Sequence, residues 1–140
     1  MPRELTSHRV NGLNEALKIL VLDQPGQGGA NHRYHITTVA YPPPVGRGMS
    51  PADLQKAQDM MRAVTEIHFQ EGPIGEVGVN GISIEALLTI CEDRLVGFQS
   101  GQYACRDNAV ALTKIQEAMM WLQKRTRDRV ARGVEGTSAK

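Results

Sequence analysis

With 140 residues, and 16 Lys and Arg against 15 Asp and Glu for a net charge of +1, the chain has the size of one domain with a modest core. So balanced a charge excludes a protein coated with cations for duplex DNA, and no apolar run approaches the roughly 18 residues of a membrane span. Met1-Pro2-Arg3-Glu4 opens no cleavable signal and no lipidation motif is present, which predicts a cytoplasmic protein that does not enter a membrane.

In chain order, Leu5 to Asn14 has a turn-like Asn11-Gly12 and no clear period, and reads as a short arm or the lead-in to a strand. Leu17 to Asp23 is a short apolar run ended by turn residues, which predicts a strand. The glycine-rich Pro25 to Asn31 is a loop, and His32 to Ala40 returns with β-branched and aromatic residues as an antiparallel partner. Tyr41 to Gly48, with Pro42-Pro43-Pro44, predicts an extended loop. Ser50-Pro51-Ala52-Asp53 is a helix start, and about three turns run on to Met61 or Arg62. Val64 to Gln70 alternates with Thr65, Ile67 and Phe69 on one side, as a half-buried strand does, and Ile74 to Val79 reads as a further short strand.

From Ile82 to Gly133 the period changes to that of two amphipathic helices joined by a tight turn. Ser83 caps the first, whose stripe is Ile84, Leu87, Leu88, Cys91, Leu95 and Phe98, with Glu92, Asp93 and Arg94 pointing mostly elsewhere. Gly101 suits a left-handed C-cap, and Cys105 or Asp107 starts the second helix, whose seam is Leu112, Ile115, Met119 and Leu122. A short connection makes the helices antiparallel neighbours, which brings Phe98 and Asn108 to the same end. Cys91 and Cys105 then lie roughly 14 Å apart along the axis, too far for a disulfide, so both are read as free thiols. The chain divides into a β-rich region with one short helix over 1–81, a hairpin over 82–133 and a flexible tail over 134–140. The fold class is α+β, with the N-terminal antiparallel sheet packed on the long helical hairpin.

The glycine loop at 25–31 lacks the Lys-Ser/Thr ending of a P-loop and precedes a strand, so a plain hairpin loop stands beside a phosphate cradle as its reading. His32 and His35, three apart on a strand, face opposite sides, and with no suitably spaced Cys or carboxylate no metal site is expected. No nucleophile-and-base motif emerges, so no catalytic residue is assigned. The chemistry instead concentrates on the hairpin. Phe98 can stack on a base, though it also suits a core. Asn108, in line with the apolar seam, must cap, pair or bind something. Arg125, Arg129 and Arg132 follow one helix face and suit phosphate, though cations near a helix C-terminus also simply oppose its dipole. Arg125 lies about 25 Å along the helix from Asn108, so one protomer cannot bring Phe98, Asn108 and Arg125 together, whereas an antiparallel pair of hairpins can.

The segments Asp93-Arg94-Leu95-Val96-Gly97-Phe98-Gln99-Ser100-Gly101, Ala104-Cys105-Arg106-Asp107-Asn108-Ala109 and Trp121-Leu122-Gln123-Lys124-Arg125-Thr126-Arg127-Asp128-Arg129 resemble the phage anti-Thoeris and anti-CBASS nucleotide-sponge family. The N-terminal strands and the Gly-Gly-Ala-Asn-His loop resemble its anti-Thoeris branch. That resemblance implies a protein of the infected host's cytoplasm that sequesters a small nucleotide second messenger without cleaving it. Cyclic ADP-ribose isomers are the implied ligands, with cyclic di- or trinucleotides in some members, and no cofactor is implied. It also implies dimers and commonly hexamers, and a pocket whose Phe, Asn and Arg match Phe98, Asn108 and Arg125, with Arg106, Arg129 and Arg132 as further ligand-binding candidates. A further C-terminal Arg of relatives falls at Ala131 here. The alternative function is a phage structural or nucleic-acid-associated hairpin protein.

Overall fold

The structure is a computed structural model that describes residues 2–26, 28–39 and 46–137. The proline-rich run expected as an extended loop, Tyr41 to Gly48, lies mostly outside the described residues. Its elements are β1 (Arg3–Leu5), α1 (Gly12–Ala16), β2 (Leu17–Val21), β3 (Arg33–Thr38), α2 (Pro51–Met61), β4 (Thr65–His68), α3 (Ile74–Val77), α4 (Ile84–Gln99) and α5 (Arg106–Ala131). The fold is α+β, as the sequence predicts. Two units, residues 1–68 and 69–140, carry the sheet and the helical hairpin respectively.

In the first unit four strands pair antiparallel in the order β1-β2-β3-β4. Ile19 faces Ile36, Val21 faces Tyr34, and Tyr34 faces Ile67 across the next strand. Partners directly opposite share a face, so this register gathers the apolar residues on one side of the sheet. Val21 and Ala57 are buried, and Thr37 and His32 are buried polar residues. The segment expected as an arm or lead-in, Leu5 to Asn14, begins on the last residue of β1 and runs into the short helix α1, capped by Asn11 accepting from the Asn14 N–H at 2.8 Å. Ser50 caps α2 by accepting from Asp53 at 3.1 Å, with Pro51 in the first turn.

In the second unit, the run Ile74 to Val79 is not a strand. Its first residues form the single turn α3, after Pro73 and before Gly78 at φ 74°. Gly78 adopts a left-handed φ that an L-residue would resist, and this ends the turn before any strand can form. Gln70 and Asn80 hold the neighbouring loop. The Asn80 N–H donates to the Gln70 side chain at 2.9 Å, and the Glu71 N–H donates to the Asn80 side chain at 2.8 Å. Gly81 lies so near the Phe69 peptide that a Cβ on it would stand 2.5 Å from the carbonyl carbon. Backbone cannot rotate aside as a side chain can, so Gly81→Ala should lower unfolding free energy by about 1–3 kcal/mol. Urea denaturation of the variant checks this, and an unchanged midpoint would mean that the loop yields without cost.

Ser83 caps α4 as expected, accepting from Ala86 at 3.1 Å, and Cys105 caps α5 with its sulfur accepting from Asn108 at 3.4 Å. The expected left-handed Gly101 is not found, since its φ is not positive. Instead Ser100 closes α4 in right-handed geometry. Its N–H donates to the Val96 carbonyl at 3.1 Å and its hydroxyl to Gly97 at 2.8 Å, so the terminal carbonyls are satisfied without a reversal. The left-handed glycine stands at the other end. Gly133, at φ 73°, follows α5, with Val134 donating to Arg129 and Gly133 to Val130, each at 3.0 Å. These two bonds are a Schellman closure.

Candidate functional site

α5 presents a half-buried line of Asn108, Leu112, Ile115, Met119, Leu122, Thr126 and Arg129. These positions alternate three and four apart, the spacing of a helix pressed against one neighbour. On α4 the corresponding half-buried line is Leu88, Glu92, Leu95 and Gln99, while Ile84 and Cys91 are exposed. The sequence places Glu92 outside the stripe, and the structure places it within. A period fixes which residues share a face, but an apolar arc wider than one neighbour leaves open which part of it that neighbour covers. No residue of either helix is buried outright, and Met120, Trp121 and Ile90 are 64%, 70% and 66% exposed. Cys91 and Cys105 are exposed free thiols, as read from their spacing.

At the turn end stand Phe98, Tyr103, Arg106 and Asn108. The Phe98 and Tyr103 rings meet edge to face, with centroids 6.3 Å apart and planes at 88°. The Gln99 side chain accepts from the Cys105 N–H at 3.0 Å and ties the start of α5 to the end of α4. Asn108 gives its backbone N–H to the Cys105 cap, and its half-buried side-chain amide has no hydrogen bond to any described residue. Arg106 is exposed in the first turn of α5.

The opposite end of α5 carries an open depression of about 700 Å³ lined by Arg125, Asp128, Arg129, Ala131 and Arg132. The three arginines do not stand alike. Arg125 is exposed and pairs with no carboxylate among the described residues. Arg129 turns back onto its own chain. It donates to the Glu135 carboxylate at 3.2 Å and to the carbonyls of Val134 and Thr137 at 2.9 and 3.0 Å. Asp128 accepts from Lys124 at 2.6 Å, and this bond holds its carboxyl below the usual range although desolvation opposes it. The fork at Arg129 is thus already engaged, whereas Arg125 has no carboxylate partner among the described residues. Seventeen residues of α5, or about 25 Å, separate Arg125 from Asn108.

The glycine loop of the first unit shows a different use for its polar groups. Asp23 accepts from the backbone N–H groups of His32 and Arg33 at 2.9 and 3.1 Å. Burial opposes its charge, yet these two bonds hold its carboxyl below the ordinary value. A Cβ on Gly26 would meet the His32 ring at 2.7 Å, so the loop wraps that ring closely. Among the described residues no group of His, Cys, Asp and Glu could hold a metal ion, and no helix is long and apolar enough to cross a membrane.

Residues 61–127 match the family described as Acb2/Tad1, hairpin domain. Over 83 residues the chain is also 46% identical to Thoeris anti-defense 1 of Bacillus phage SBSphiJ7. The helical hairpin of this chain is thus similar to the Acb2/Tad1 hairpin domain. The alignment with the phage protein takes in 59% of this chain, which thereby spans 58% of that relative's length. Within the Acb2/Tad1 match fall Phe98, Arg106, Asn108 and Arg125, whereas Arg129 and Arg132 lie beyond it. That division parallels the geometry, because Arg129, the arginine bound to its own tail, is one of the two left outside.

Proposed function

We propose that this chain is a phage-encoded sponge that binds and sequesters cyclic nucleotide immune messengers without cleaving them, and so blocks an anti-phage defence. The 46% identity to a protein named Thoeris anti-defense 1 carries the reading. The geometry supports it: Phe98 supplies an aromatic face, and among the described residues the Asn108 amide has no hydrogen-bond partner and the Arg125 guanidinium no carboxylate. These are the groups that stack a base, read its edge and bind phosphate bidentately. Cyclic ADP-ribose isomers are the proposed ligands, with cyclic di- or trinucleotides beside them, taken up in the cytoplasm of the infected host. The site combines Phe98 and Asn108 of one hairpin with Arg125 of another, in a dimer or in a hexamer built from dimers.

Native mass spectrometry of the protein with a panel of these cyclic nucleotides is the test. A retained ligand, released at unchanged mass on denaturation, is expected. Release of a hydrolysed product would make the protein an enzyme, and no retained ligand would sink the sponge reading. The arginines lining the depression near the end of α5 also favour a second reading, contact with a nucleic-acid backbone. Backbone contact weakens steeply with salt, whereas an enclosed small-ligand site weakens much less.

A further inference from the structure

One turn before Phe98, the Arg94 guanidinium carbon lies 5.1 Å from the centroid of the Phe98 ring. No carboxylate among the described residues pairs with it. Tyr103 meets the same ring edge-on. A cation over an aromatic face is attracted by the ring quadrupole but keeps its charge and its N–H donors, which lie in a plane and match the oxygens of a phosphate. Arg106 shares this end of the hairpin, yet the aromatic contact holds Arg94 against the stacking ring.

Resting on the sponge reading, we infer that Arg94 is a phosphate-binding residue of the nucleotide site, supplied by the same protomer as Phe98 and Asn108. Each hairpin turn then holds a stacking ring, an edge-reading amide and a phosphate-binding cation, and is a half-site in its own right. Arg125 of a neighbouring chain adds a second cation from the far side. A ligand with two linked phosphates, as in a cyclic ADP-ribose isomer, satisfies both. The sequence pattern hides this, because Arg94 lies in a polar run between stripe residues and reads as solvated surface.

Calorimetric titration of the 140-residue chain with cyclic ADP-ribose isomers over a series of salt concentrations tests the role. Arg94→Gln should weaken binding roughly tenfold, the loss of one charge-assisted hydrogen bond. Its affinity should also fall less steeply with salt, because one charge contact is gone. Arg94→Lys should fall between Arg94→Gln and the wild type. Wild-type affinity in Arg94→Gln would overturn the inference. So would a loss shared equally by Gln and Lys with an unchanged salt slope, since Arg94 would then only hold the ring in place. If the wild-type protein binds none of the isomers and none of the wider panel, the sponge reading falls, and this inference with it.

Discussion

Arg125→Ala is expected to weaken messenger binding by well over tenfold. The guanidinium is exposed and pairs with no carboxylate among the described residues, so in the proposed site its fork is available for a phosphate. Truncating one partner of a buried, hydrogen-bonded charge pair commonly costs about 2–5 kcal/mol, because the remaining charge stays desolvated without its counterpart. Each 1.4 kcal/mol is about a factor of ten. Arg125→Lys should recover only part of the loss, since an ammonium lacks the planar fork. Phe98→Ala, which removes the stacking face, should weaken binding without touching the phosphate contact. The separation of about 25 Å along α5 turns this pair into a test of architecture. If Phe98 and Arg125 serve one site from different subunits, mixing Phe98→Ala chains with Arg125→Ala chains regenerates some intact sites and leaves others doubly broken. Calorimetry on the exchanged mixture should then show a tight class of sites that neither parent has. Proven subunit exchange with no such class would mean that the site does not span subunits.

Local chemistry made much of this fold legible. Ser50, Ser83 and Cys105 cap the helices that their positions announce, because a side-chain acceptor just before a helical period has few other uses. Strands β2 and β3 followed from short β-branched runs bounded by turn residues. What failed depended on context beyond a few residues. Ile74 to Val77 has strand-like composition, but Pro73 and left-handed Gly78 confine it to one turn. Glu92 entered the helix contact and Cys91 left it, since the sequence gives the period of α4 without the direction of its neighbour. Gly101 was dispensable as a cap once Ser100 met the terminal carbonyls. For the proposed site, Phe98, Asn108 and Arg125 are nominated by residue type and resemblance. That Arg129 binds Glu135 and two carbonyls, and that Arg94 lies on Phe98, are matters of rotamer and tail path, which no spacing encodes.

The apolar surface of the hairpin leads to the last expectation, that the protein is a dimer or larger in solution. Two helices alone bury no side chain completely, and Ile84, Ile90, Met120, Trp121 and Val130 are each at least half exposed. Monomeric proteins seldom leave apolar groups of that size clustered in water, and burying one such side chain is worth about 1.5–3 kcal/mol. A second hairpin offers a surface of the same kind, and an antiparallel pairing is self-complementary. Light scattering at micromolar concentration should therefore give at least twice the mass of one chain. Trp121→Glu places a charge on the most exposed aromatic of α5 and should shift the assembly toward smaller species. Far-ultraviolet circular dichroism should stay close to wild type, because the indole is 70% exposed and contributes little to the packing of its own hairpin. Messenger affinity should fall together with the mass, since the cation from the neighbouring chain leaves with it. A wild-type particle of one chain's mass would defeat both the assembly and the shared site, and a dissociated Trp121→Glu variant that binds at full strength would confine the site to a single hairpin.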